Sequence, residues 1–229
     1  IFQTRSNTIT GKDTNHMSQS SFGNKFKVTT WGESHGKALG AVIDGCPAGL
    51  PLCEEDIQKF LDRRKPGQSR YTTARKEGDL VEILSGVFEG KTTGTPISLM
   101  VRNTDQRSRD YGNIAYSYRP GHADYTFDQK YGFRDYRGGG RSSGRETIGR
   151  VAAGAIASKI LEELGISICT YTRSIGPVEI ASFNKEEIHQ NAFYMPDAQA
   201  AVKAGEYLEE CMKNQDSAGG VIECRITGT

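Results

Sequence analysis

The sequence predicts a fold of the α+β class, in which mainly antiparallel sheets pack on helices. Short segments rich in β-branched and aromatic residues indicate strands. Longer segments in which apolar residues recur every three or four positions indicate helices. The chain has 229 residues, of which 36% are hydrophobic and 25% are charged, so a sizeable core can form.

The N-terminal half of the chain predicts four strands and one helix. The strand-like segments are residues 26–31, 38–43, 80–88 and 97–101. The helix is predicted at residues 54–64, where Ile57, Phe60 and Leu61 share one face. Acidic residues in its first turn support a helix start there, because they lie at the positive end of the helix dipole.

Residues 105–141 differ from the segments before them, because Tyr and Arg alternate there with frequent glycines and regular periodicity is lost. A long irregular stretch inside a compact domain usually builds a functional site. The strongest helical pattern follows at residues 148–164, and Ser143 with Glu146 three residues later predicts a capping box at its start. The remaining pattern predicts strands at 166–171, 178–180 and 221–226 and a helix at 198–213.

The overall charge limits the classes of partner. Lys and Arg number 29 and Asp and Glu number 28, so we expect neither nucleic acid nor a membrane as the main partner. The five cysteines form no C-x-x-C pair and no cluster with histidine, which predicts neither a disulfide framework nor a metal site. A reducing compartment, the cytoplasm, is therefore expected.

The two ends of the sequence differ from its centre. Residues 1–16 are polar, have no period and precede the first Met, which predicts an extraneous or disordered extension. They contain too few basic residues for a targeting peptide. The domain is then expected at residues 17–229, and a chain that stops just after an apolar strand suggests a domain truncated at its C-terminus.

A glycine-rich segment before the strongest helix is the first candidate site. Residues 137–145 read RGGGRSSGR, and glycines there allow a ligand to approach the backbone closely. The N–H groups at a helix start attract phosphate, and flanking arginines add bidentate donors. The alternative interpretation is a flexible loop with an ordinary helix cap.

Basic residues and two histidines supply further candidates. The basic group comprises Arg63, Arg64, Lys65, Arg70, Arg75 and Lys76. These residues could converge on a polyanionic small molecule, although a solvated basic face is the usual explanation for such a run. His35 and His122 each stand beside glycine in a predicted loop, and imidazole is a natural proton donor near neutral pH. A hydrogen-bonded histidine without a catalytic role is the alternative for each.

Several long motifs together resemble one known family. The motifs are GESHGKALGAVIDGCPAGLPL at 32–52, RRKPGQSRYTTAR at 63–75, ILSGVFEGKTTGTPI at 83–97, NTDQRSRDY at 103–111 and RPGHADYTFDQKYGFRDYRGGGRSSGRETIGRVAAGAIA at 119–157. They resemble the chorismate synthases of bacterial type, and the resemblance extends over residues 23–229.

The resemblance implies a fold, a reaction and a cofactor. The fold would be a layered β-α-β sandwich. The reaction would be a 1,4-anti elimination of phosphate from 5-enolpyruvylshikimate 3-phosphate, an anionic small molecule, which gives chorismate. Family members need reduced FMN, and NADPH is a candidate reductant. The resemblance also implies a homotetramer, and it implies that the last third of the family's chain is absent, so this chain alone is expected to be inactive.

The resemblance assigns catalytic and flavin-binding roles to five residues. His35 matches the family histidine that protonates the departing phosphate, and His122 matches the one that lies beside the reduced flavin. Arg141, Ser142 and Ser143 match a loop that contacts the flavin, in agreement with the anion site predicted from the glycines.

Five arginines match positions that hold anionic groups. Arg64 and Arg70 match contacts of the nicotinamide cofactor in some members. Arg63, Arg119 and Arg145 are candidates for the phosphate and carboxylates of the substrate.

Two other classes of function remain open on the residues alone. The same arginines could serve a non-catalytic module that binds anions or RNA, which would show salt-sensitive affinity and no need for flavin. A phosphotransferase would need Mg²⁺ and a nucleoside triphosphate, and the sequence shows no obvious acidic cluster to hold them unless Asp105, Asp110 and Asp124 are neighbours in space.

Overall fold

A computed structural model describes residues 20–65, 78–103, 116–136 and 139–229. These residues belong to two compact units. The first unit contains the described residues up to Arg64 and those from Gly78 to Ala155, and the second contains Lys65 and residues 156–229. The extension expected at residues 1–16 lies outside the described part, and the domain expected at 17–229 stays a prediction.

The first unit is built on an antiparallel sheet. Its strands are β1 (Ser21–Phe22), β2 (Lys27–Gly32), β3 (Ala38–Asp44), β4 (Val81–Ser85), β5 (Val87–Phe88), β6 (Lys91–Thr92) and β7 (Ile97–Arg102). Five of them form one sheet in the order β1-β2-β3-β7-β4, and every neighbouring pair in it is antiparallel. Strands β5 and β6 form a separate hairpin. The antiparallel α+β class predicted from the sequence is confirmed.

Alternation of side chains along the strands buries one face of this sheet. In β7 every second residue is buried, namely Ile97, Leu99 and Val101. Leu39 and Ile43 of β3 are buried as well. Successive residues of a strand point to opposite faces, so this pattern assigns the apolar residues to the core side of the sheet.

Helix α1 (Glu54–Arg64) has the bounds predicted from the sequence. It buries Ile57 and Leu61, and its Gln58 side chain joins it to the sheet. Gln58 Oε1 accepts the backbone N–H of Val81 at 3.0 Å, and Gln58 Nε2 donates to the carbonyl of Asp79 at 3.3 Å. These bonds position the start of β4 beside the helix.

Two predictions for the first unit are wrong. Residues 80–88 form two strands rather than one, because Gly86 adopts φ 84° and lies so close to Pro96 that an added Cβ would be 2.8 Å from its carbonyl oxygen. The stretch 105–141 is not wholly irregular, since helix α2 occupies Asp124–Tyr131. Asp124 is its only buried residue, so it lacks the apolar period by which a helix is recognised.

The predicted capping box is also wrong. Helix α3 runs over Thr147–Glu163, and the Ser143 side chain accepts the N–H of Arg145 in a 3-10 turn before the helix. The Glu146 carboxylate is engaged by Thr30 and Arg150, so it does not return to the Ser143 backbone as a capping box requires.

The second unit contains a smaller antiparallel sheet and one helix. Its elements are β8 (Ser167–Ile175), β9 (Val178–Glu179), α4 (Ala198–Lys213) and β10 (Gly220–Thr227). The strand order is β10-β8-β9, and α4 again has the predicted bounds. A hydrophobic cluster of the second unit consists of the buried residues Met195, Ala200, Ala201 and Ala204. In the described residues of both units, none of the helices combines the length and hydropathy needed to cross a bilayer.

Helix α3 packs against the first sheet at a glycine, which yields a stability prediction. A Cβ at Gly149 would lie 2.8 Å from the carbonyl oxygen of Gly40 and 3.0 Å from Cγ2 of Thr30. We expect Gly149→Ala to lower the free energy of unfolding by about 1–3 kcal/mol, because the helix must move outward. Gly154→Ala in the same helix has open space and should instead raise it by up to about 1 kcal/mol. Chemical denaturation of both variants measures the difference, and equal stabilities would contradict the close approach.

Asp197 caps helix α4 and yields a second prediction. Its Oδ1 accepts the N–H groups of Gln199 and Ala200 at 3.0 Å, and its Oδ2 accepts those of Ala181 and Ser182 at 2.9 and 3.0 Å. These backbone donors, the Ala200 N–H first, lower the pKa of Asp197 to about 2. Asp197→Ala should therefore lower the free energy of unfolding by about 1–3 kcal/mol at neutral pH.

The pH dependence of that loss follows from the lowered pKa. The stabilisation is present above the unfolded-state pKa of about 3.9 and is lost as the pH falls through the folded-state value. Denaturation of parent and variant at neutral pH and again near the folded-state pKa checks this, and a stability difference that does not shrink in acid would contradict it.

Candidate functional site

His35 lies in a tight turn between β2 and β3. The turn is closed by the Gly36 N–H, which donates to the Glu33 carbonyl at 3.0 Å. Ser34 and His35 are both buried, and the Ser34 hydroxyl lies 3.1 Å from His35 Nδ1. The Ser34 N–H donates to the Gly140 carbonyl at 3.3 Å. The histidine turn therefore contacts the glycine-rich segment directly.

Asn103, which follows β7, binds both ends of the histidine turn. Its Nδ2 donates to the carbonyls of Glu33 and Gly36 at 3.0 and 2.8 Å. Its backbone N–H donates to the Lys37 carbonyl at 3.1 Å. Its Oδ1 accepts Nε of Arg145 at 3.0 Å. One side chain thus joins the histidine turn to an arginine of the glycine-rich segment.

A buried carboxylate pairs with two of the predicted site arginines. Asp79 Oδ1 lies 2.8 Å from Nη1 of Arg145, and Asp79 Oδ2 lies 2.8 Å from Nη1 of Arg64. Arg64 also donates through Nε to the Thr147 hydroxyl at 3.3 Å. The side chain of Asp79 is 0% exposed and that of Arg145 is 8% exposed, so the pair is shielded from water. Two guanidinium groups therefore share one buried carboxylate.

The glycine-rich segment is held against β2 by Arg141. Gly139 adopts φ 91°, in the left-handed region that favours glycine, and a 3-10 turn follows it. The Arg141 guanidinium donates to the carbonyls of Gly32 and Thr30 at 3.0 and 3.3 Å and to the Thr30 hydroxyl at 2.7 Å. The Ser142 hydroxyl donates to the Gly139 carbonyl at 2.7 Å. Arg141 therefore holds this segment against β2.

Glu146 makes a further connection between β2 and the start of α3. Its Oε1 accepts the Thr30 hydroxyl at 2.7 Å, and its Oε2 accepts Nε of Arg150 at 2.9 Å. Burial raises the pKa of Glu146, but the hydrogen bonds from Thr30 and Arg150 and the positive charges of Arg150 and Arg141 outweigh burial and lower it. The carboxylate is therefore ionised at neutral pH and binds β2 to the start of α3.

His122 lies in a second turn, which Asp124 closes. The Asp124 carboxylate accepts the N–H of Arg119 at 3.0 Å and its Nε and Nη2 at 2.9 and 2.8 Å. The Arg119 guanidinium holds the pKa of the Asp124 carboxyl well below its usual range. His122 itself is exposed, and its Nδ1 lies 3.2 Å from the Pro120 carbonyl. The His122 imidazole is therefore exposed on a turn whose backbone is held by the Arg119–Asp124 pair.

An open cavity of about 830 Å³ lies beside the glycine-rich segment. Its lining combines aromatic residues with charged residues of both signs, and it includes Trp31, Phe127, Tyr131, Arg134, Arg141, Arg150, Glu33, Asp135 and Glu146. This volume is in the range of small-molecule sites, and the aromatic rings suit a ligand with a planar ring system. Of the described residues, neither His35 nor His122 lines it.

The structure brings some of the predicted site residues together. His35, Arg64 and Arg145 belong to one network through Asn103 and Asp79. Arg141, Ser142 and Ser143 adjoin that network through Gly140. His122 and Arg119 share a separate turn, and Arg63 is exposed in the last turn of α1. Arg70 lies outside the described residues.

Sequence reasoning missed Asp79 and Asn103. The signal for them lies in the strands, since Asp79 shortly precedes β4 and Asn103 directly follows β7. These strands are antiparallel with Val81 opposite Val101, so the start of one meets the end of the other. Polar residues at both positions lie at the same end of the sheet, but this can be recognised only when the strand pairing is known.

The fold and the site define an α+β protein in which a buried histidine turn lies beside two arginines that share a buried carboxylate, at one end of an antiparallel sheet. That arrangement is suited to a small anionic ligand. A family model described as chorismate synthase matches residues 26–229, so the chain belongs to the chorismate synthase family.

Individual relatives agree with this assignment. The chain is 71% identical over 214 residues to a chorismate synthase of Agathobacter rectalis and 58% identical over 214 residues to one of Novosphingobium aromaticivorans. Both matches cover 93% of this chain, but only 58% and 60% of those proteins. A crystal structure of chorismate synthase is similar with a TM-score of 0.70 and 34% identity, over 89% of this chain and 57% of that one. The chain thus spans about three fifths of the length of these relatives.

The buried ion pair yields a stability prediction. Asp79→Asn removes the charge that both guanidinium groups share, and it should lower the free energy of unfolding by about 3–5 kcal/mol. Asp79 has φ 45°, which asparagine tolerates, so the backbone is not the cause of the loss. Glu82→Gln is the matched control, because the Glu82–Arg102 pair has the same 2.8 Å separation but is exposed. It should cost less than about 1 kcal/mol. Urea denaturation of both variants decides, and similar losses would contradict a buried network.

Proposed function

We propose that this chain forms the histidine-bearing part of a lyase that eliminates phosphate from 5-enolpyruvylshikimate 3-phosphate to give chorismate. The observation that carries the proposal is the buried His35 turn, held within an arginine network in a chain of the chorismate synthase family. Because the chain spans 58% of its relative's length, the activity is assigned to a protein of the full length.

The chemistry of the substrate matches the charges of the site. A molecule with a phosphate and two carboxylates needs several cations, and guanidinium groups bind both kinds of anion bidentately. Negative charge develops on the leaving phosphate, and a proton or fixed cations must meet it at that moment. We assign the proton to His35, whose imidazole is oriented by the Ser34 hydroxyl at Nδ1.

The arginines contribute in two ways under this proposal. Arg64 and Arg145 share the Asp79 carboxylate, which holds their guanidinium groups in fixed positions. Arg63 and Arg119 stay predicted substrate contacts. Arg119 also holds the turn of His122 through Asp124.

Reduced FMN fits the residues that surround the glycine-rich segment. Gly144 is exposed with no atom within 4 Å of an added Cβ, which leaves the backbone at Ser143 and Gly144 open to a ligand. The neighbouring cavity offers aromatic rings and guanidinium groups. When bound, the reduced flavin supplies electron density to the substrate. Ser143 would hold it with its backbone, and Ser142, whose N–H donates to the Gly139 carbonyl at 2.9 Å, stays a predicted contact of the flavin. Arg141 would hold the segment against β2.

His122 is proposed to serve the flavin side of the site. Its turn is closed by Asp124 and exposes the imidazole, as a group that exchanges protons with a bound cofactor requires. NADPH as reductant, with Arg64 and Arg70 as its contacts, a homotetramer and a cytoplasmic location are proposed on family resemblance alone.

The test uses a version of the protein extended to the length of its curated relatives. Incubated without oxygen with the substrate, it should release chorismate and phosphate in equal amounts, and only when reduced FMN is added. His35→Asn should lower the rate by about 10²–10⁴, because a positioned proton donor is lost. His189→Asn is the matched control, since His189 is an exposed histidine of the second unit, and it should keep the parent's rate.

Three results would contradict the proposal. Release of phosphate that depends on Mg²⁺ and a nucleoside triphosphate would indicate a phosphotransferase. Salt-sensitive binding of RNA without any need for flavin would indicate a binding module. A His35→Asn variant as fast as the parent would remove His35 from the mechanism.

A further inference from the structure

We propose that Asn103 is a positioning residue, which fixes the His35 imidazole by holding both ends of its turn. The amide Nδ2 donates to the Glu33 carbonyl at 3.0 Å and to the Gly36 carbonyl at 2.8 Å. These carbonyls flank Ser34 and His35 on either side. The planar amide group thereby sets the distance between the ends of the turn together with the Gly36 N–H bond to the Glu33 carbonyl. The catalytic consequence rests on the proposed role of His35.

The orientation of this amide is determined by its partners. Nδ2 faces two carbonyl oxygens, which only accept hydrogen bonds, and Oδ1 faces Nε of Arg145 at 3.0 Å, which only donates. A flipped amide would place like groups against each other at all three contacts. The side chain therefore has one satisfied orientation, and all of its hydrogen-bonding atoms are used in fixing the turn and Arg145.

The backbone of Asn103 is fixed as well. Strands β3 and β7 pair with Ala38 opposite Arg102, and the Asn103 N–H continues this pairing by donating to the Lys37 carbonyl at 3.1 Å. Asn103 thus enters the site directly from a central pair of the sheet. Its Cα cannot move without breaking that pairing, so its side chain is a rigid support for the turn.

Ion pairs of Arg145 restrict the movement of the Asn103 side chain that it contacts. Arg145 is held at Nη1 by Asp79 at 2.8 Å, and Asp79 is held in turn by Arg64. The chain of contacts runs from α1 through a buried carboxylate to the histidine turn. Charge-assisted bonds of this kind are stronger than neutral ones, and they are unscreened where water is excluded.

The expected effect on catalysis is specific. A proton donor displaced by about 1 Å loses on the order of a hundredfold in rate, whereas binding by other residues persists. Replacing Asn103 should therefore lower kcat by about tenfold to a hundredfold and leave KM within about threefold. Replacing a residue that served only the stability of the fold would lower the amount of folded enzyme, and the kcat of the remaining folded enzyme would stay at the parent's value.

Two variants and one control test the inference in the protein of full length. Asn103→Ala removes all three side-chain contacts. Asn103→Asp keeps the acceptor for Arg145 but loses both donors to the turn, so it separates the support of Arg145 from the support of the turn. Asn191→Ala is the matched control, because its amide also donates to two carbonyls, those of Glu187 and Met195 at 2.9 and 2.8 Å, in the second unit.

Amide hydrogen exchange of residues 33–37 and the NMR titration of the His35 ring give the readout that does not depend on activity. Both Asn103 variants should speed this exchange, Asn103→Ala, which adds no charge, should also shift the His35 midpoint from that of the parent, and the control should do neither. Parent-like exchange in both variants would overturn the inference, as would parent-like titration in Asn103→Ala or a kcat within twofold of the parent. If the extended parent releases no chorismate, the proposed function fails, and the exchange and titration still decide whether Asn103 fixes His35.

Discussion

The Asp79 carboxylate is the group on which the arrangement of the site depends. It is shielded from water and shared by the guanidinium groups of Arg64 and Arg145. An isolated charge in such a place would be strongly unfavourable, so the three groups are stable only together. Arg64 ends α1, Asp79 precedes β4 and Arg145 precedes α3, and the pairing therefore joins three elements that are distant in sequence.

The arginines of this site make hydrogen bonds and ion pairs within the protein itself. Arg141 spans carbonyls at the end of β2, Arg119 closes the turn of His122 through Asp124, and Arg145 supports Asn103. A glycine-rich, arginine-rich sequence is usually expected to point its cations at an anion. Here the same cations first hold irregular backbone in shape, which is what a site built on loops requires.

Some elements could be predicted from the sequence because local signals were sufficient. Helix α1 has an acidic first turn and a buried pair one turn apart, Ile57 and Leu61, and α4 follows a capping aspartate, Asp197. Helix α2 lacked such signals. The capping box failed for a different reason, since Glu146 is drawn to Thr30, more than a hundred residues away in the chain. A local motif competes with tertiary partners that the sequence does not display.

By itself the sequence determined the mainly antiparallel α+β class of the fold and the family, because these depend on periodicity and on long motifs that are read locally. It also identified His35 and the arginines as candidates by residue type. Only the tertiary structure decided which of them meet. Asp79 and Asn103 became part of the site because β4 and β7 are antiparallel neighbours, which brings the start of one strand to the end of the other. Hydrogen bonds and ion pairs act over about 3 Å, and contacts at that range are set by the packing of the elements.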